Sequence, residues 1–165
     1  MKKTISILLS VVIMAFMASC SNNDKESSIV EKTAQPEPKV VVESVMSELK
    51  LEEFESCEEE YLIYLYSDID VSKLESFEVV YEASGGYADE IGVFKMKSAD
   101  DVKYMEGILK VRVKSRTEAF AGYAPDEVTK LEKSVVTSNG NYVFLCIATD
   151  SEKAKEVFEV SMKIE

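Results

Sequence analysis

Asn139-Gly140, set between residues 135–138 and the apolar run 142–149, constrains the fold of this chain more than any other pair of residues. A two-residue link that tolerates positive φ, flanked by β-branched and aromatic residues, closes a tight antiparallel hairpin and suits a type I′ turn. A second hairpin lies upstream. Phe77, Val79, Tyr81 and Ala83 alternate with Glu78 and Glu82, giving one core face and one wet face, and Ser84-Gly85-Gly86 returns the chain into a strand near residues 90–97.

Each hairpin is followed by a helical segment. Ser98 with Asp101 resembles a capping box and opens a long helix over 99–121 that Gly122 ends. Pro125 with Asp126 and Glu127 opens a short helix, and Thr149 with Glu152 caps a last one whose inward side uses Ala154, Val157, Phe158 and Met162. Val40, Val41, Val45, Met46 and Leu49 recur at helical spacing, while residues 61–66 are too continuously apolar to assign by period. The order ββα, short helix, ββα predicts an α+β two-layer sandwich. Its antiparallel sheet is built from two β-hairpins, helices pack on one face, and an extra N-terminal helical region precedes it.

The first twenty residues read as an export signal. Lys2 and Lys3 precede an apolar run over 5–17 that is too short for a stable membrane span, and small residues precede Cys20. Ala18-Ser19-Cys20 resembles the lipobox of bacterial lipoproteins, with Met17 where leucine is usual. That resemblance implies a signal peptide over 1–19, a diacylglyceryl thioether on Cys20, and attachment to the cell membrane on its extracytoplasmic face. Residues 21–38 are polar and end in Pro36-Glu37-Pro38, the composition of a disordered tether, which with Cys20 makes up 20–38. Residues 39–165 suit a single domain.

Loss of Lys2 and Lys3 would leave 17 basic against 31 acidic side chains, a formal charge of −14. Such a chain disfavours phosphate backbones, so no nucleic-acid partner is expected, and it is repelled by an anionic membrane surface. The charge is uneven. Residues 43–90 carry 15 acids against Lys50 and Lys73, whereas 91–165 balance 12 against 12. A solvated acidic half, a basic partner and a cation are all consistent with this pattern.

The chain has no histidine, which removes histidine metal ligands and the usual Ser-His or Cys-His activation of a nucleophile. No phosphate-binding or dinucleotide-binding glycine motif is present, so no cofactor, metal or catalytic residue is expected. Cys57 sits beside Glu58, Glu59 and Glu60, whose charge disfavours a thiolate, and Cys146 lies inside an apolar run, so a disulfide between them is not assumed. Asp68 and Asp70 lack the turn glycine and closing glutamate of an EF-hand and read better as turn or capping residues. The carboxylates leave a glycosidase-like acid and base pair open without singling one out.

The two arginines of the chain stand out. At about 100° per residue, Val102, Met105, Leu109, Val113 and Phe120 form one stripe of the long helix, with Arg116 inside it and Arg112 at its edge. A guanidinium on an apolar stripe needs a partner, and Asp89 or Glu90 at the mouth of the first hairpin is the expected one for Arg116. Tyr87 and Tyr123 complete a candidate polar cluster, either a binding pocket or a structural ion pair.

These residues also carry a family resemblance. Tyr87-Ala88-Asp89-Glu90-Ile91 followed by Phe94-Lys95, Arg112 and Arg116 leading to Phe120, Gly122-Tyr123-Ala124-Pro125 with Glu127, Leu131 and Glu132, and Gly140-Asn141-Tyr142 together resemble the clostridial-type Gram-positive lipoproteins of domain of unknown function forty-three fifty-eight. The resemblance implies an exported, lipid-anchored protein and supplies no catalytic residue. The expected function is therefore a membrane-anchored extracytoplasmic binding or accessory domain, partnered by a cell-envelope protein or ligand. A carboxylate-dependent hydrolase of envelope glycan and a purely structural accessory lipoprotein are the alternatives.

Overall fold

The computed structural model describes residues 35–163. In chain order its elements are α1 (Pro38–Leu49), β1 (Glu55–Ser56), α2 (Leu62–Leu65), β2 (Leu74–Tyr81), β3 (Glu90–Met96), α3 (Val102–Ala121), α4 (Pro125–Glu132), β4 (Val135–Asn139), β5 (Tyr142–Ile147) and α5 (Ser151–Ser161). Short 3-10 turns at Glu59–Tyr61, Val71–Lys73 and Ala99–Asp101 lead into α2, β2 and α3.

The strands form one antiparallel sheet in the order β1-β2-β3-β5-β4. Both expected hairpins are present as β2/β3 and β4/β5, and they are joined where β3 runs beside β5, from Glu90 opposite Ile147 to Lys95 opposite Tyr142. The two-residue edge strand β1, with Glu55 opposite Tyr81, is too short to leave a periodic signal.

The α+β class stands, and the placing of helices on one face is corrected. Every residue of β5 is buried. Val143, Leu145 and Ile147 enter one core with Met105, Leu109 and Phe120 of α3 and Leu131 of α4. Tyr142, Phe144 and Cys146 enter a second core with Val41 and Val45 of α1 and Ala154 and Phe158 of α5. A strand that is apolar at every position needs cover on both sides, so the sheet lies between two helical layers, and α1 is an integral half of one of them.

Local chemistry shifts several boundaries. Asn139 pairs with Tyr142, so the loop residues of the second hairpin are Gly140 and Asn141, and only Gly140 has positive φ, at 58°. That is the type II′ pattern rather than type I′. Asn141 fixes this frame, because its Nδ2 donates to the Met96 carbonyl at 2.6 Å and its own carbonyl accepts the Met96 N–H at 2.8 Å. Asp150 rather than Thr149 caps α5, accepting the Lys153 N–H at 3.2 Å. Pro38 is buried at the start of α1, inside the stretch assigned to the tether, and the Pro36 carbonyl accepts the Tyr142 hydroxyl at 2.9 Å.

Candidate functional site

Glu90, the first residue of β3, is the one fully buried carboxylate among the described residues. Leaving an ionised carboxylate without partners at such depth would cost several kcal/mol, so its surroundings are decisive. Helix α3 places Arg112 and Arg116 one turn apart on the face above it. Arg112 donates from Nη2 to Glu90 Oε2 at 2.7 Å and from Nε to Oε2 at 3.1 Å and Oε1 at 3.3 Å. The Tyr66 hydroxyl, one residue beyond α2, donates to Oε1 at 2.9 Å. Both carboxylate oxygens are therefore occupied, and the Arg112 side chain that covers them is only 13% exposed.

Arg116 approaches the same carboxylate from farther out. Its Nε lies 3.9 Å from Glu90 Oε2, is buried, and has no hydrogen-bond partner, while Nη2 donates to the Tyr87 carbonyl at 3.3 Å. The guanidinium packs over the Phe120 ring, 5.1 Å from its centroid. Glu90 is one of the two carboxylates expected for Arg116, yet Arg112 holds it directly. The electrostatics agree with this ranking. Burial lowers the pKa of Arg116 past what its distant contact with Glu90 restores, whereas for Arg112 burial is outweighed by the adjacent Glu90 charge and the net direction is up.

Asp89 faces the other way. It accepts Lys130 Nζ at 2.6 Å, and Lys130, on α4, also reaches Glu127 at 2.8 Å. Glu127 accepts the Ala88 N–H at 2.8 Å, which clamps α4 to the loop between β2 and β3. Tyr87 and Tyr123 are exposed: Lys130 Nζ lies 5.8 Å from the Tyr87 ring centroid, and the Tyr123 hydroxyl donates to the Gly85 carbonyl at 3.1 Å. The structure thus brings all six candidates to one end of the sheet and adds Tyr66, Glu127 and Lys130. The spacing of Glu127 and Lys130 on a helix is a readable i,i+3 pair. Tyr66 carries no such signal.

Burial would raise the Glu127 carboxyl, but the bonds from Lys130 and the Ala88 N–H outweigh it and leave the group below its ordinary 4.5. A carboxylate with a depressed folded pKa stabilises the fold above the unfolded pKa, and that contribution is lost as pH falls through the folded value. Acid unfolding monitored by circular dichroism is therefore expected to show a loss of stability below about pH 4.5 that Glu127→Gln makes shallower. An identical pH profile for the variant would contradict the clamp.

Burial disfavours the thiolate at both described cysteines. Cys57 is pushed up to about 11 by burial and by the neighbouring Glu90 charge, and Cys146 to about 12 by burial. Both are free, and they lie in separate cores on opposite faces of the sheet. Asp70 is engaged by Ser72, accepting its N–H at 3.1 Å and its hydroxyl at 2.6 Å, which is a capping role. Among the described residues no three metal-ligating side chains converge, and no helix is long and apolar enough to cross a membrane. Cys20 and the signal-like segment lie outside the described residues.

Comparison with curated proteins and with solved structures returns no match. A family described as Domain of unknown function (DUF4358) matches residues 47–148, from the last turn of α1 to just past β5. That match takes in the whole sheet and the charged cluster and covers more than half of the chain, and the protein belongs to this family.

Proposed function

We propose that the protein is a lipid-anchored extracytoplasmic binding or accessory domain at the cell envelope and that it performs no catalysis. The observation that carries the second part is the saturation of Glu90 by Arg112 and Tyr66. A general acid must hold a proton near neutral pH, which requires a carboxyl with a raised pKa. Among the described residues the carboxylates displaced from their ordinary values, Asp70, Glu82 and Glu127, all move down, Asp70 and Glu82 because neighbouring serines donate to them and Glu127 because Lys130 does. The charged groups that resemble an active site are thus used in joining α3 and α4 to the sheet.

The anchor rests on residues 1–20 and on charge. An acidic domain gains nothing from an anionic membrane surface, so two acyl chains on Cys20 would supply the attachment, at about 0.8 kcal/mol per buried CH₂. Cys20→Ala is expected to abolish incorporation of labelled fatty acid and to move the protein out of the mature membrane-bound form. Unchanged label and unchanged membrane fraction would overturn the assignment.

A further inference from the structure

We propose that the outer face of α2 and the turn before it is a docking surface for an arginine- or lysine-rich segment of a partner protein, anchored on Tyr61 and Tyr64. The proposal rests on the reading of the domain as a binding module and gives its partner a chemistry. It begins with the way residues 61–66 divide. Leu62 and Tyr66 are fully buried, while Tyr61, Ile63 and Tyr64 are 51%, 55% and 76% exposed. Eight large apolar side chains are exposed among the described residues, and these three fall within four consecutive positions. Scattered exposed apolar residues are ordinary on any surface; a contiguous patch on a fold with two well-filled cores is a mark of an interaction site. The two tyrosine rings lie 6.4 Å apart at 43°, which presents two aromatic faces side by side.

The surrounding charge selects the partner. Glu58, Glu59 and Glu60 lead directly into Tyr61, and Glu52, Glu53 and Glu55 lie just before them; all six are exposed and none forms an ion pair among the described residues. Elsewhere acids such as Glu75, Asp89, Asp101 and Glu127 have lysine partners. Uncompensated carboxylates around an aromatic pair attract a guanidinium or ammonium twice, through charge and through the negative ring faces. Glu59 also lines a cavity of about 260 Å³ together with Val71, Leu74, Glu75, Ser76 and Phe77. That combination accepts the aliphatic stem of an arginine or lysine with its charged head at the acid. A second copy of this chain and an anionic membrane are both disfavoured, because each would bring negative charge against negative charge.

The test is fluorescence anisotropy of labelled decaarginine titrated with the full-length chain in nonionic detergent, with labelled decaglutamate as control. Decaarginine is expected to bind in a salt-dependent way and decaglutamate not at all. Tyr61→Ser with Tyr64→Ser should weaken binding about 5–30-fold, from two cation–π contacts of roughly 0.5–1 kcal/mol each, and Tyr64→Ser alone should act in the same direction. Glu58→Gln, Glu59→Gln and Glu60→Gln together should weaken binding and flatten the salt dependence, whereas the equal charge change Glu152→Gln, Glu156→Gln and Glu159→Gln on α5 should leave it within about twofold. Thermal midpoints of these surface variants should match the parent. No binding at low salt, equal loss in the α5 variant, or indifference to the tyrosines would overturn the proposal. So would a chain dimer that the tyrosine variant dissociates, which would assign the face to a second copy. Lipid labelling at Cys20 is unaffected by any of these results, so the two proposals fail separately.

Discussion

Glu90→Leu is expected to cost the domain about 3–5 kcal/mol, the usual penalty for removing one partner of a buried ion pair. A domain of this size is stable by about 5–15 kcal/mol in total, so urea unfolding followed by circular dichroism should show a large fall in midpoint. Leucine would leave Arg112 almost enclosed without its bidentate acceptor and the Tyr66 hydroxyl without its acceptor, and Arg116 would lose the nearby countercharge. Arg112→Leu should be similarly severe, because it strands the fully buried carboxylate. Arg116→Leu should cost clearly less: its contact with Glu90 is 3.9 Å long, and the substitution also removes a buried Nε that has no partner. A midpoint unchanged by Glu90→Leu would mean that the cluster contributes nothing to the fold.

Phe144→Ala should be as damaging for a different reason. Phe144 is fully buried in the middle of β5, opposite Val93 of β3 and Thr137 of β4, and its ring stacks on Phe158 of α5 at 4.8 Å and 5°. Truncation loses the transfer free energy of the ring and opens a cavity between the sheet and its α1/α5 layer, for about 3–5 kcal/mol in all. The exposed Val160, two residues after Phe158 in α5, sets the scale: Val160→Ala should stay within about 0.5 kcal/mol. If Phe144→Ala cost no more than Val160→Ala, the second helical layer would not be packed as described.

What could be read from the residues was what local geometry determines. Alternation at residues 77–83 and the glycine turn at 139–141 identify both hairpins, because strand period and turn chemistry act over a few residues. The helical cover of both faces was encoded too, in the unbroken apolar run of β5, but it becomes legible only once the strand is placed in the centre of the sheet. The turn frame at Gly140-Asn141 depends on a tertiary bond from Asn141 to Met96, which no local propensity contains.

The charged cluster divides along the same line. Two arginines on an apolar helical stripe announce a buried partner from sequence alone, and the mouth of the first hairpin supplies it. Their order is a matter of depth. Helical periodicity puts Arg116 inside the apolar stripe and Arg112 at its edge, and so ranks them in the wrong order; where α3 crosses the start of β3 decides that Arg112 takes the bidentate position. Tyr66 reaches Glu90 from 24 residues away through the packing of α2, and neither spacing nor composition marks it.

The central claim is that Glu90 and Arg112 form a coupled buried ion pair that joins α3 to β3. A double-mutant cycle by urea denaturation, with Glu90→Leu, Arg112→Leu and both together, measures it directly. The double variant should recover about 2–3 kcal/mol relative to the sum of the single losses, since each single leaves a charge stranded that the other removes. Losses that add to within about 0.5 kcal/mol would show that the two groups act independently and would contradict the account.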